Sequence, residues 1–126
     1  MRKWEPEPSI FNLVKEPIIG KSCSLVNTLL DCGGQIIIKD FVSFGHNVML
    51  LTGKHNYYLT GEKRQKESLY SPITIDNGAW IGSGAIICGG VLIGENSVIG
   101  AGSVVTKSVP PNEMWGGVPA KFIKKI

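Results

Sequence analysis

From Ile75 onward a large aliphatic side chain recurs at every sixth position: Ile75, Ile81, Ile87, Ile93, Ile99 and Val105. Two positions before each stands a small or apolar residue, in turn Ile73, Ala79, Ala85, Val91, Ser97 and Ser103. Three positions after each of the first five stand Gly78, Gly84, Gly90, Asn96 and Gly102. Side chains two apart on a strand point the same way, so the first two columns fill an interior. A fixed column of glycine or asparagine marks a tight corner with positive φ. The unit is a short strand and a corner. Three units predict one triangular coil, and coils stack in parallel at ~4.8 Å. An antiparallel sheet protein would need hairpin turns, and nothing in it would require a strict beat of six.

Upstream the beat is looser. Ile38, Phe44 and Leu50 keep the step, with Ile36, Val42 and Val48 two places before them, while Ile19-Gly20 and Leu25 sit in a shifted register. The phases of Ile38 and Ile75 differ by one residue, so something between Leu51 and Ser71 must leave the coil. That stretch is polar, charged and aromatic, and a loop of about 53–72 is expected to project from the solenoid, where function often resides. After Val105 the beat ends again. Val109-Pro110-Pro111-Asn112 and Gly116-Gly117-Val118-Pro119 read as turns. Residues 110–126 are expected to cap the last coil, with a short helix over Ala120–Ile126 laying Phe122, Ile123 and Ile126 on the open end. Trp4 and the first ten residues are expected to cover the other end or a neighbouring molecule.

Composition narrows the picture. The 126 residues suffice for one domain, taken here as 1–126, and so small a domain favours oligomers. Glycine is the outlier, 16 residues against a usual ~7%. A net charge of +3 excludes the strong basic stripe of a nucleic-acid binder. Three cysteines without a CxxC motif suggest neither a disulfide framework nor a zinc site. With no apolar leader and no spanning stretch, the expectation is a soluble cytoplasmic protein without membrane insertion. Lys54, Lys63, Arg64 and Lys66 cluster in the loop and Lys121, Lys124 and Lys125 at the C-terminus; solvated surface and anion site stand level as readings of these clusters.

The motifs TGKH (Thr52–His55), PITI (Pro72–Ile75), AWIG (Ala79–Gly82), VIGAGSVVTK (Val98–Lys107) and GVPAK (Gly117–Lys121) carry a resemblance. Residues 35–126 resemble the hexapeptide-repeat acetyltransferases, the class that includes the galactoside and maltose enzymes. The resemblance implies an all-β, left-handed parallel β-helix that uses acetyl-CoA as co-substrate. It implies a homotrimer with active sites between subunits and a small sugar-like acceptor. By position it implies His55 as the catalytic base. It also implies Ser83, Ala101, Thr106 and Lys107 as contacts to acetyl-CoA, with Lys121 and Lys124 near its phosphates. Trp80 is expected near the CoA groove or a subunit contact. Two departures bear on the acceptor: Lys54 intervenes between glycine and histidine, and the N-terminal region is much shorter. Asn27 and Asp31 are further candidates for acceptor contacts, with no motif of their own behind them.

The chemistry agrees. A thioester is already activated, so the enzyme must supply a base, positioning and help for the developing oxyanion. An imidazole, with an ordinary pKa near ~6.5, can take a proton from a hydroxyl at neutral pH. Glycine-rich corners, Gly84 among them, are candidates to offer N–H groups to the oxyanion. Lysines such as Lys107 bind phosphate as point charges. His46 reads as a corner residue and Cys88 as a small structural one, since no base adjoins it. The expected reaction is acetyl transfer to a hydroxyl of a sugar or polysaccharide precursor. N-acetylation of an amino sugar, free or nucleotide-linked, is the alternative, and a non-enzymatic scaffold is a third. No metal is expected: a three-histidine metal site of the carbonic anhydrase kind lacks ligands, because His46 and His55 are the only histidines.

Overall fold

The computed structural model describes residues 8–126, so Trp4 lies outside the described residues. The chain winds into a three-sided parallel β-helix. In chain order the elements are β1 (Ser9–Phe11), β2 (Ile18–Ile19), β3 (Leu29–Asp31), β4 (Ile36–Ile38), β5 (Ser43–Phe44), β6 (Met49–Leu51), β7 (Gly53–His55), α1 (Gly61–Lys66), β8 (Ser68–Tyr70), β9 (Ile73–Ile75), β10 (Trp80–Ile81), β11 (Ile86–Cys88), β12 (Leu92–Ile93), β13 (Val98–Ile99), β14 (Val104–Val105), β15 (Glu113–Gly117) and β16 (Ala120–Lys125). Three sheets form the faces. The first is β1-β3-β6-β11-β14, the second β2-β4-β9-β12, and the third β5-β10-β13-β15-β16. Among the described residues no helix is long and apolar enough to cross a membrane.

The interior columns are those the period predicts. Ile75, Ile81, Ile87, Ile93, Ile99 and Val105 are buried, as are Ile73, Ala79, Ala85, Val91, Ser97 and Ser103. The corner column takes positive φ throughout, from 59° at Asn96 to 87° at Gly90. That is the left-handed region, which glycine and asparagine enter at least cost. Register shows why the phase slips. Ile75 pairs with Ile93, eighteen positions on, whereas Ile38 pairs with Ile75, thirty-seven positions on. The difference of nineteen is one more than a multiple of six, and it is the length that leaves the coil. The first coils are looser for a similar reason. Ile19 pairs with Ile38 and Leu30 with Leu50, nineteen and twenty positions apart, the surplus lying at corners such as Cys32-Gly33-Gly34.

The C-terminal cap differs from expectation. Ala120–Lys125 is a strand, not a helix, and pairs antiparallel with β15. The turn at Gly117–Pro119 sends the chain straight back, so its N–H and C=O groups meet the edge that β15 offers instead of closing on themselves. The hairpin extends the third face, and its outer strand carries Lys121, Lys124 and Lys125, charges that discourage further pairing.

Ile87 sits between Leu50 and Val105 in the interior stack of the first face. Ile87→Ala is expected to cost about 2–5 kcal/mol of stability, read from the midpoint of urea unfolding.

Candidate functional site

The projecting segment leaves the edge between the first and second faces. Thr52, buried at its base, donates its hydroxyl to the Asp31 carbonyl at 2.7 Å and accepts the Gly34 N–H at 2.9 Å. Its own carbonyl accepts the Ser71 N–H at 3.0 Å, so both ends of the excursion are held by one residue. The Asp31 carboxylate then accepts Gly53 N–H at 3.0 Å and Gly33 N–H at 3.2 Å. β7 and β8 form an antiparallel ribbon in which Gly53 faces Tyr70, Lys54 faces Leu69 and His55 faces Ser68. Residues directly opposite share a side, so Gly53, His55, Ser68 and Tyr70 lie on one surface of the ribbon. Within the loop, Arg64 donates to the carbonyls of Leu59 (2.7 Å) and Tyr57 (3.0 Å), and Lys66 pairs with Glu62. Two of the four clustered basic residues are thus spent on shaping the loop.

His55 is exposed, and its Nδ1 lies 3.3 Å from the Glu67 carbonyl. When Nδ1 carries the proton and donates to that carbonyl, Nε2 holds the lone pair a base requires. His55 lines an open cleft of about 200 Å³ with Asn12, Asp31, Gly53, Lys54, Ser68 and Tyr70. Asp31 is therefore brought to His55. Asn27 is not: it lines a separate depression on the first face with Asn47 and Met49.

The seven residues expected at acetyl-CoA fall into separate places. Thr106, Lys107 and Lys121 meet in a cleft of about 250 Å³ with Trp115, Pro119 and Phe122. Thr106 and Lys107 follow β14 at the edge that bears the His55 loop, further along the axis. Lys124 lies outside that cleft, paired with Met114 across the hairpin. Ser83, Gly84 and Ala101 occupy the edge between the third and first faces, one full face away from the His55 edge. There the coils stack closely: a Cβ on Gly82 would come within 2.6 Å of the Ala101 nitrogen. Ser83 Oγ accepts the His46 N–H at 2.9 Å, and the Ser83 carbonyl accepts the Gly102 N–H at 2.8 Å. The Gly84 N–H donates to the His46 carbonyl at 2.8 Å, so it is not free for an oxyanion. The N–H groups of Ser83 and Ala101 donate to no group among the described residues. His46 is a corner residue stacked on Ser83. Trp80 stands outward and exposed on the third face, between Ser43 and Val98. Burial pushes the Cys88 thiol up from its ordinary pKa, which opposes a nucleophilic role. Among the described residues no three His, Cys, Asp or Glu side chains gather as a metal site.

Sequence reasoning missed Asn12, Ser68 and Tyr70 at the cleft. The alternation Ser68-Leu69-Tyr70 just before PITI is a strand signal, but its pairing with TGKH becomes visible only when the loop closes.

This fold and edge chemistry define a class, the parallel β-helix built on hexapeptide units. The family model "Bacterial transferase hexapeptide (six repeats)" matches residues 72–107. The galactoside O-acetyltransferase of Escherichia coli K12 is 48% identical over 98% of this chain. A maltose O-acetyltransferase from Clostridium difficile 630 superposes with a TM-score of 0.70 at 34% identity, covering 89% of this chain and 67% of that one. A hexapeptide-repeat acetyltransferase from Vibrio cholerae, crystallised with acetyl-CoA, superposes with a TM-score of 0.80 at 33% identity, covering 86% of this chain and 60% of that one. The chain belongs to the hexapeptide-repeat acetyltransferase family. It spans 61% of the length of the galactoside enzyme.

Removing the Asp31 carboxylate frees two amides at the root of the ribbon. Asp31→Ala is expected to speed hydrogen exchange at Gly33 and Gly53 by ~10-fold or more while leaving exchange at the coil interior unchanged, as followed by NMR.

Proposed function

We propose that the chain is the catalytic unit of an acetyl-CoA-dependent acetyltransferase acting on a hydroxyl of a sugar or polysaccharide precursor. The observation that carries the reading is the placement of His55. An imidazole with one nitrogen beside a backbone carbonyl, in an open polar cleft on a loop held at both ends, is a base presented to a small acceptor. His55 Nε2 takes the hydroxyl proton as the acceptor oxygen attacks the thioester carbonyl. The Ser83 N–H, which donates to no described residue, is the better donor to the oxyanion that forms, in place of Gly84. As the C–S bond breaks, the protonated imidazole returns its proton to the departing thiolate. Lys107 and Lys121, beside Thr106, suit the phosphates of the co-substrate. Lys124 belongs to the same basic hairpin at a less enclosed position. The Asp31 carboxylate in the cleft also suits a cationic amine, which keeps N-acetylation of an amino sugar as the second reading.

One chain holds the base and the glycine corners on different edges, whereas proton transfer needs contact within ~3 Å. A site composed of the His55 edge of one copy and the Ser83–Ala101 edge of the next resolves this, in a closed ring of three. The first face, which joins the two edges, presents Met49, Leu51, Ile86, Cys88 and Val104 outward, an apolar strip suited to the contact.

Two outcomes check this reading. His55→Ala is expected to lower turnover ~10²–10⁴-fold with the melting temperature kept, measured as thiol release from acetyl-CoA over a panel of sugars and amino sugars. Near-native turnover would remove His55 from the mechanism. Co-expressed His55→Ala and Ala101→Phe chains, each inactive alone, are expected to recover about a quarter of wild-type activity, since mixed trimers contain sites with both edges intact. No recovery would put each site within one chain.

A further inference from the structure

We propose that Tyr70 is the platform on which the acceptor's sugar ring stacks, so that the cleft selects pyranoses over open-chain hydroxyl compounds. This rests on the acetyl-transfer reading of the same cleft. The side chain lies in a slot made by two glycines from different parts of the chain. A Cβ on Gly33 would overlap the ring, and one on Gly53 would come within 2.8 Å of its Cε1 atom. The hydroxyl lies 3.5 Å from Asn12 Nδ2, which bonds in turn to the Asp31 carboxylate at 3.4 Å. The ring is thus seated against bare backbone on one side and located at its tip, yet Tyr70 remains 45% exposed.

A tyrosine that only plugged the root of the loop would be covered by side chains. Here the floor is cleared for it and the outer surface is left open, on the same side of the ribbon as His55. Around that apolar surface stand the Asp31 carboxylate, the Ser68 hydroxyl and the imidazole. A flat apolar patch ringed by hydrogen-bonding groups matches a pyranose, which has a C–H face and a hydroxyl rim. The cleft of about 200 Å³ falls below the ~300–1,000 Å³ usual for larger ligands, which limits the seated portion to about one ring. A reducing-end or internal sugar of a longer glycan fits as well as a free monosaccharide, because the cleft is open.

The test compares wild type with Tyr70→Phe, Tyr70→Leu and Tyr70→Ala. Leucine fills the slot but has no flat ring, so it separates stacking from plugging. Binding of methyl hexopyranosides is followed by NMR, through transfer of magnetisation from aromatic protons to the sugar C–H protons. Turnover is followed in parallel with pyranosides and with open-chain polyols. Stacking predicts that Tyr70→Phe keeps the pyranoside KM within about threefold. Tyr70→Leu and Tyr70→Ala raise it about tenfold or more. The KM for acetyl-CoA and the rise in melting temperature on adding acetyl-CoA stay unchanged in all three variants. If Tyr70→Leu behaves like Tyr70→Phe, Tyr70 is a plug and the proposal falls. It also falls if only open-chain acceptors react, if the KM for acetyl-CoA rises in parallel, or if the wild type shows no sugar contact. Pyranosides that bind through Tyr70 without any thiol release would overturn the acetyl-transfer reading and leave the platform standing.

Discussion

Parallel register between coils is the constraint on which the rest of the molecule depends. Outside the projecting ribbon and the C-terminal hairpin, each strand is two or three residues long and finds its hydrogen bonds on the coils above and below it. A coil that returned out of register would turn Ile75, Ile81 or Ile87 outward and leave backbone groups unpaired in the interior. The coils from Ile73 to Val105 therefore close in eighteen residues, the last turn shortens to sixteen where Ile99 pairs with Trp115, and any surplus is expelled at a corner. The nineteen residues that carry His55 leave at one corner and rejoin the ladder at Ile73 in register with Ile36. Thr52 makes this possible, because it bonds to the coil before the excursion and to the chain that returns from it.

The same constraint decides where chemistry can sit. Interior positions belong to aliphatic columns and the middle of each face to short strands, so reactive groups are confined to corners and to what projects from them. Corners stack on corners, which turns a repeat in sequence into a line along an edge. Ser83 and Ala101 are one coil apart in the chain and adjacent along one such line, with N–H groups that no described residue accepts. A prism keeps its edges apart, however, and a rigid interior prevents one edge from folding over to another. In the proposed reaction, a base on one edge and a row of amide donors on another would be brought into contact by a neighbouring copy far more readily than by deformation of the coil, and oligomerisation would then serve chemistry as well as the stability of a small chain.

How much of this was legible beforehand follows from the range of each signal. The columns headed by Ile75, the positive-φ corners and the excursion after Leu51 all rest on local spacing, and local spacing is what a period records. The hairpin at Ala120–Lys125 was misread as a helix because Phe122, Ile123 and Ile126 suit a helical stripe when considered alone. The edge of β15, which makes a strand the better choice, is a tertiary feature. Gly84 was a sound choice of residue type for an amide donor, yet its N–H is taken by His46, thirty-eight positions earlier, a partner no local pattern reveals. Asn12 and Tyr70 escaped for the same reason: they reach His55 only through coil stacking and loop closure.

The Cys32-Gly33-Gly34 corner joins these points. In the regular part of the coil a glycine serves φ, but Gly33 has no positive φ. It is small because the Tyr70 ring lies where its side chain would be, and Gly53 repeats the arrangement from the next coil. A corner that spends extra residues and breaks the beat is a cost to the solenoid, which holds to six from Ile75 to Val105. The cost is offset only if the geometry obtained at that corner is needed. What is obtained is an aromatic ring held beside the His55 ribbon, with Asp31 bonded both to the corner and to the ribbon. The irregularity of the early coils and the arrangement of the cleft beside His55 are thus one feature of the fold.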